Sequence, residues 1–215
     1  MNIFQLMDDN LTDAEPTVKP SRKESMLARR QGILDSACAL IFEHGYDPVS
    51  LTDIGAAAGV SGPAIYRHFR SKADILDVLC NQTVDRLIEF VGPRRVDPTA
   101  ELAALVAGQV TLVVRFPELV RVFSDEERSL PAEPRRIVRR RERDHARRWV
   151  DALRLQRPWL AELDAEMLAY ATVGMILSAA RWPRTLRSSH GFEPKLLAAA
   201  TRLMDMREPV TPRQP

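Results

Sequence analysis

The stretch 50–76 constrains the fold of this chain more than any other, because signals that start and stop helices follow one another there. Ser50 and Asp53 have the spacing of a capping box, in which a hydroxyl and a carboxylate satisfy free N–H groups at a helix start. Gly59 lies where that helix must end and reverse, since glycine adopts positive φ at little cost. Ser61 can then cap a second helix. The spacing predicts two short helices joined by a tight turn.

The apolar residues of this stretch give both short helices a buried face. They are Ile54, Ala57, Ala58, Val60, Ile65 and Phe69. The alanines are small enough for a second helix to cross closely. Pro63 stands in the first turn of the second helix, where its missing N–H costs nothing. Ser71 and Asp74 repeat the capping-box spacing, so a third helix is predicted to begin at Ser71.

Two short helices joined by a glycine-containing turn form a DNA-reading unit, whose second helix enters the major groove through its first residues. The small residues at that helix start permit close approach and contact with a thymine methyl group. Donors suited to phosphates and base edges follow them, and a lysine in the next helix can meet a phosphate. The predicted DNA-contacting residues are Ser50, Thr52, Ser61, Gly62, Pro63, Ala64, Tyr66, Arg67, His68 and Lys72. The alternative is a helical hairpin within some other bundle.

Residues 33–76 resemble the DNA-binding domain of the TetR family. The resemblance is carried by Ile54, Ala58, Gly59, Val60, Ser61, Gly62, Ile65, Tyr66, His68, Phe69, Lys72 and Leu76, and it covers about a fifth of the chain. Gly55 departs from the family pattern, in which alanine is usual, at a cost of about 0.5–1 kcal/mol inside a helix. The resemblance implies three helices packed against the start of a fourth. It also implies that Tyr66 and His68 contact DNA and that Lys72 anchors a phosphate.

Helical periodicity continues along the rest of the chain, so the predicted fold is all-α. The longer helices are expected over 24–44, 71–91, 163–182 and 192–206, with further breaks at 116–117, 130–134, 157–158 and 182–191. The predicted organisation is a flexible N-terminal arm (1–23), a three-helix helix-turn-helix DNA-binding domain (24–70), an effector-binding and dimerisation domain (71–208) and a C-terminal tail (209–215). The basic end of the arm either stays solvated or reaches towards a DNA groove.

Composition excludes several classes of protein. With 45% apolar and 28% charged residues the chain has the balance of a globular protein, and a net charge of +2 neither demands nor forbids nucleic acid. No signal peptide or membrane span is predicted, so we expect a cytoplasmic protein with no membrane partner. Cys38 and Cys80 are expected to be buried thiols. The four histidines show neither metal-ligand spacing nor a nucleophile motif, so no enzyme, cofactor or metal site is predicted.

The last two predicted long helices are apolar over much of their circumference. The residues concerned are Met167, Leu168, Ala171, Met175 and Ala179 in one, and Leu196, Leu197, Ala200, Leu203 and Met204 in the other. A helix that is apolar nearly all round is buried on two sides. We expect core on one side and a two-fold partner on the other, so that a homodimer presents two reading units to a palindromic operator. The alternative is a fully interior pair of helices in a monomer.

The segment 135–157 carries ten arginines against three acidic residues. One interpretation is a long solvated helix that covers the core. A second is an electropositive mouth for an anionic ligand such as a phosphorylated or coenzyme A-linked effector, since arginine suits phosphate. The third interpretation is that this segment makes a second contact with DNA.

The stretch 116–131, followed by the arginine-rich segment and Trp149, resembles actinobacterial TetR-family members that sense fatty acyl-CoA esters. That resemblance implies a long apolar tunnel, with candidate ligand-binding residues Phe90, Phe116, Phe123, Trp149, Met167, Tyr170, Gly174 and Met175. A stripe of methionine and aromatic residues at helical spacing more often belongs to the hydrophobic core than to a ligand site. We therefore expect a repressor that a small hydrophobic effector, for example a fatty acyl-CoA, releases from double-stranded operator DNA. The alternative is a TetR-type DNA binder without a small-molecule ligand, controlled by a protein partner or acting as an activator.

Overall fold

The computed structural model describes residues 21–205, which form ten α-helices and no strand. The predicted C-terminal tail and all but the last three residues of the predicted N-terminal arm lie outside the described residues. The helices are α1 (Arg22–His44), α2 (Leu51–Ala57), α3 (Gly62–Ile65), α4 (Lys72–Val91), α5 (Pro98–Arg115), α6 (Pro117–Glu126), α7 (Ala132–Gln156), α8 (Glu162–Ser178), α9 (Arg184–Arg187) and α10 (Phe192–Met204). The all-α prediction is confirmed. The expected breaks at the prolines are also found, except that Pro134 lies within the first turn of α7.

The buried apolar side chains form two clusters, one in each half of the fold. The first joins α1, α2, α3 and α4 as far as Val84, and it includes Ile33, Ile54, Ile65 and Phe69. The second lies among α5, α7, α8 and α10 around Trp149, which is fully buried. Two cores of this kind agree with a small N-terminal unit joined to a larger helical unit.

Three helices, α4, α6 and α7, contribute to both clusters; in α7, Val138 belongs to the first cluster and Trp149 to the second. Along α4, Leu76 and Val84 belong to the first cluster and Val91 belongs to the second. In α6, Leu119 faces the first cluster while Val120 faces the second. The N-terminal core thus extends past residue 70, the predicted domain limit, because α4 and α6 complete its packing. A movement of any of these three helices therefore changes contacts in both halves of the fold.

The crossing of α4 and α5 depends on Gly108. A Cβ atom at this position would lie 2.5 Å from Val91 Cγ2 and 2.8 Å from the backbone nitrogen of Val91. These distances are shorter than van der Waals contact, so only glycine allows the two helices to approach this closely here. The absence of a side chain at Gly108 therefore fixes the position of the C-terminal end of α4.

A buried ion pair holds the loop between α4 and α5 against α7. The Arg148 guanidinium lies 2.7 Å from Oε1 of Glu101, and the backbone N–H of Arg95 donates to Glu101 Oε2 at 2.9 Å. Burial alone would raise the pKa of the Glu101 carboxyl, but these hydrogen bonds and the two arginine charges hold the pKa below its usual range. Arg148 also donates to the carbonyl of Gly92, the residue that ends α4.

The stretch Glu162–Arg181, which includes α8, is long and apolar enough to cross a membrane by length and composition. Its mean hydropathy is 1.3, and only 33% of its apolar window is buried within the protomer. A single helix of this kind also occurs in proteins that cross no membrane, so it does not contradict the sequence prediction. The exposed part is a stripe along one face of α8, formed by Leu163, Met167, Tyr170, Ala171 and Gly174.

We predict that Gly108→Ala lowers the free energy of unfolding by about 1–3 kcal/mol, because the added methyl group forces α4 and α5 apart. The matched control is Gly32→Ala in α1, where a Cβ would meet no atom within 4 Å. This control should gain about 0.5–1 kcal/mol, since it removes only the backbone entropy cost of glycine. Urea unfolding at one fixed protein concentration measures both. Equal effects of the two substitutions would contradict the proposed role of Gly108.

Candidate DNA-binding and effector sites

The start of α2 and the turn that follows it have the predicted geometry. Ser50 Oγ accepts a hydrogen bond from Asp53 N at 3.1 Å, and Asp53 Oδ2 accepts one from Ser50 N at 2.9 Å. Gly59 has a φ of +64°, so the turn requires glycine there. The capping box and the glycine turn are confirmed.

Gly55, the departure from the family pattern, lies where α2 meets the turn. A Cβ atom there would be 3.3 Å from the carbonyl oxygen of Val60, whose N–H bonds back to Gly55 O at 2.8 Å. The glycine therefore relieves a tight contact between the helix and its own turn.

Two of the predicted caps differ from expectation. Ser61 occupies the N-cap position of α3, but its side chain makes no capping hydrogen bond. Ser71 Oγ does accept from Asp74 N at 3.1 Å, yet Asp74 Oδ2 receives Arg70 N and Arg70 Nε instead of closing a capping box with Ser71. The predicted capping box at Ser71 is therefore wrong in one of its two hydrogen bonds. The Asp74 carboxylate does not bond to the Ser71 N–H, because Arg70 offers it two donors.

The predicted reading residues form one exposed surface around α3. Gly62, Pro63 and Arg67 are exposed, and Tyr66 is 61% exposed although its ring is large and apolar. Ala64 and His68 are half-buried beside them, while Ser50, Thr52 and Ser61 are exposed nearby. An aromatic ring this exposed next to small residues is suited to contact with a base edge or a sugar. Whether these residues contact DNA stays a prediction.

Arg30 of α1 supports this surface from behind and was missed in the sequence. It donates to the carbonyl oxygen of His68 at 2.5 Å, and its guanidinium lies 4.0 Å from the centre of the Phe69 ring. The contact fixes the residues that follow α3. The spacing of 38 residues between Arg30 and His68 gives no local signal, so only the packing of α1 on α3 reveals the contact.

The Lys72 ammonium is engaged within the protein. Its Nζ donates to the carbonyls of Tyr46 and Asp47 at 2.7 and 3.2 Å, and it lies 4.0 Å from the centre of the Tyr46 ring. One of its three N–H donors is left for a phosphate. Lys72 therefore joins the start of α4 to the loop between α1 and α2, and its predicted phosphate contact would be made from this fixed position.

A cavity of about 410 Å³ lies between α4, α5, α6, α7 and α8. Its apolar walls are formed mainly by Val84, Leu87, Leu112, Val120, Phe123, Ala146, Trp149, Val150, Ala169, Val173 and Leu177. Three of the eight predicted ligand residues, Phe123, Trp149 and Tyr170, line it. Their binding of a ligand stays a prediction.

The other five predicted ligand residues do not line this cavity. The rings of Phe90 and Phe116 stack on each other, with 6.1 Å between centroids, and both half-buried side chains pack against the second apolar cluster. Met167 and Gly174 lie on the exposed face of α8, and Met175 packs against the second apolar cluster. The resemblance placed four residues of α8 in the tunnel, Met167, Tyr170, Gly174 and Met175, and among these four only Tyr170 lines the cavity. Met167 and Gly174 share the outward face of the helix because they are two turns apart.

Several polar residues of the cavity were not predicted. Thr83, Gln109 and His145 line it from α4, α5 and α7, and Arg139, Glu142 and Arg143 lie at its exposed side. Burial raises the pKa of the Glu142 carboxyl. His145 could have been noticed as a histidine four positions before Trp149, on the same face of a helix.

His145 and Trp149 are hydrogen-bonded inside the protein. The indole Nε1–H donates to His145 Nε2 at 3.1 Å, and the His145 side chain is buried. Burial and the neighbouring Arg148 charge lower the pKa of His145 to about 4. The imidazole is therefore neutral at pH 7, and because Nε2 accepts a hydrogen bond, its proton is on Nδ1.

Most arginines of the segment 135–157 are paired with acidic side chains. Seven of the ten form ion pairs, with partners that include Glu101, Glu127, Glu162 and Asp85. Arg139 is held by both carboxylate oxygens of Glu127, whereas Arg143 forms no ion pair within residues 21–205. The pairing favours a helix that covers the core and leaves Arg143 as the available cation beside the cavity.

Comparisons with known proteins agree with this arrangement. Residues 33–79 match the family model of bacterial regulatory proteins of the tetR family, and residues 95–185 match the tetracyclin repressor-like C-terminal domain. The repressor ComR of Escherichia coli is 33% identical over 75 residues, which are 35% of this chain and 36% of ComR. The repressor KstR2 of Mycobacterium tuberculosis is 26% identical over 130 residues, which are 59% of this chain and 65% of KstR2. The chain therefore spans less than two thirds of these relatives.

A solved structure that resembles the fold is that of AibR in complex with isovaleryl coenzyme A and operator DNA. It superimposes with a TM-score of 0.68 at 22% identity, over 80% of this chain and 95% of that one. At this identity the likeness concerns the fold alone.

We predict that Tyr66→Ala weakens binding to a specific DNA site by more than tenfold and to random DNA by less, because Tyr66 is exposed on the reading surface. The matched control is Trp159→Ala, which removes an aromatic ring that is 80% exposed after α7. Fluorescence polarisation with specific and random duplexes measures both. Equal losses on the two duplexes would contradict a specific role for Tyr66.

Proposed function

Because this chain belongs to the TetR family, we propose that it is a homodimeric transcriptional repressor which binds operator DNA and is released by a small hydrophobic effector. The observation that carries the proposal is that α4 and α6 each pack against the reading unit and also line an apolar cavity.

The exposed surface around α3 supports binding to operator DNA. Small residues at the start of α3 allow the backbone to approach the bases, and Tyr66 and Arg67 stand exposed directly after them. Arg30 and Lys72 hold the two flanking segments in place through backbone carbonyls. A surface held rigid in this way loses little conformational entropy when it binds DNA.

The exposed stripe of α8 supports a homodimer. Leu163, Met167 and Tyr170 are 66%, 55% and 64% exposed in the single protomer, and Gly174 continues the same face with no atom near its Cβ position. An apolar stripe of this kind is a site for another helix, and glycine allows a second copy to approach closely. The two-fold arrangement would give the dimer two reading units, as a palindromic operator needs.

The cavity supports control by a small molecule over the alternative of a binder without a ligand. Its walls are mainly apolar, and its volume of about 410 Å³ falls within the range of small-molecule sites. The structure of AibR in complex with isovaleryl coenzyme A and operator DNA shares this fold. The structure of the ketosteroid transcriptional regulator KstR2 of Mycobacterium tuberculosis shares it as well. A fatty acyl-CoA is the effector we propose to test first, with its acyl chain in the cavity and Arg143 beside its charged part.

A chain of contacts supports coupling between the cavity and the reading unit. Val120 and Phe123 of α6 line the cavity, and Glu126 at the end of the same helix accepts a hydrogen bond from Tyr46 N at 3.1 Å. The carbonyl of Tyr46 in turn accepts from Lys72 at the start of α4. An effector that pushes α4 or α6 would shift the loop between α1 and α2 and with it the reading unit. DNA and effector would then favour different states of one equilibrium.

We expect the purified protein to bind DNA from just upstream of its own gene tightly and with strong salt dependence, because phosphate contacts release counterions. A long-chain acyl-CoA should release this DNA, whereas free coenzyme A should leave it bound. Fluorescence polarisation with and without each compound measures the effect. Operator affinity that no acyl-CoA changes would contradict the effector class and leave the DNA-binding proposal in place.

We expect Gly174→Glu to convert the dimer to a monomer, because a charge on the exposed face of α8 cannot be buried against a second copy without a partner. Within the protomer a Cβ atom at this position would meet no atom within 4 Å. Gly32→Glu is the matched control, since Gly32 is also an exposed helical glycine with open space around it. Sedimentation velocity gives the oligomeric state. A dimer that survives Gly174→Glu would place the interface elsewhere.

A further inference from the structure

Tyr170 belongs to two surfaces of the protein at once. It lines the apolar cavity, and it is 64% exposed on the outward stripe of α8. A side chain of the cavity wall that is exposed to this extent marks a place where the cavity reaches the protein surface. The cavity therefore opens directly beside the stripe that is proposed for the dimer contact.

The cavity continues along α8 from this opening. Val173 and Leu177, one and two turns after Tyr170, line the same cavity and are half-buried. Both are apolar, so a single protomer leaves part of an apolar wall in contact with water at the edge of the stripe. An apolar ligand that reached the opening would remain partly hydrated there.

The stripe cannot be covered without covering Tyr170. Met167, Tyr170 and Gly174 follow one another at spacings of three and four residues, so they occupy one face of the helix. A Cβ atom at Gly174 would meet no atom within 4 Å, so a second helix can approach the backbone closely one turn after Tyr170. A helix that packs on this face therefore contacts the Tyr170 ring at the cavity opening.

We propose that a second copy of this chain closes the cavity opening at Tyr170, so that the effector site is complete only in the dimer. This inference rests on the proposed function, which supplies both the dimer contact along α8 and the effector. The occupant is a second copy because each protomer carries one reading unit, whereas a palindromic operator has two half-sites. Arg143 is exposed on α7, outside the stripe, so it stays available to the charged part of an effector.

Closure by the second copy links two equilibria. A ligand that is enclosed by both copies binds the dimer more tightly than the monomer, and by the same factor it favours the dimer over the monomer. The effector would therefore release DNA from an intact dimer, by changing the separation of its reading units, and would not act by separating the two copies.

Alkylation of a cysteine in the cavity wall tests the closure without any ligand. Val173→Cys is introduced where Cys38 and Cys80 are replaced by alanine, and the rate of its reaction with iodoacetamide is measured. The dimer should react about tenfold or more slowly than a monomer, because a covered thiol reacts only when its cover opens. Equal rates in dimer and monomer overturn the proposal.

Leu163→Glu supplies the monomer for this comparison. It places a charge on the stripe about 15 Å along α8 from residue 173, which is beyond the Debye length at ordinary salt. Ser124→Cys on α6 is the matched control, since Ser124 is exposed and does not line the cavity, and its rate should be the same in both forms. A rate at position 124 that falls in the dimer as much as the rate at position 173 also overturns the proposal.

Sedimentation velocity reports the oligomeric state of each sample. A Leu163→Glu protein that remains a dimer overturns the contact along α8 and this inference with it. If that variant does not fold, dilution of the Val173→Cys protein through its dissociation range gives the same comparison. Because neither DNA nor effector is present, a failure of the closure leaves the proposals of operator binding and effector class untouched.

Discussion

The structure depends on the rigid continuity of α4, which begins beside the reading unit and ends in the core of the larger unit. Lys72 fixes its first turn to the loop after α1, and Gly108 permits the close crossing at its last residue, Val91. Between these points Val84 belongs to the N-terminal cluster and also lines the cavity. A helix held at both ends transmits a displacement at its middle to both, since a close-packed interior does not absorb it locally.

The cavity lies against the middle of α4, and its wall and its exposed side differ in polarity. Most of its wall is apolar. Arg143, unpaired among the described residues, stands at the exposed side, whereas its neighbour Arg139 is neutralised by Glu127. The buried wall and the exposed side would therefore recognise different parts of one effector.

The sequence was most informative where chemistry is local. Ser50, Asp53 and Gly59 act through bonds within a few residues, so their pattern predicts the capping box and the turn. It was less informative where a residue acts on a distant part of the chain. Arg30 and Lys72 bind carbonyls 38 and 26 residues away, which no periodicity encodes. Met167 and Gly174, which were predicted to bind the ligand, do not line this cavity. An apolar stripe in the sequence does not show whether it faces the core, a ligand or a second copy of the chain.

The central claim is that operator DNA and effector favour different separations of the two reading units in a dimer. Electron–electron double resonance between spin labels at Ala57→Cys, which is exposed on α2, measures that separation in a background where Cys38 and Cys80 are replaced by alanine. The account predicts one distance with operator DNA and a different one with a saturating acyl-CoA. The same distance in both conditions, with both ligands shown to be bound, would contradict it.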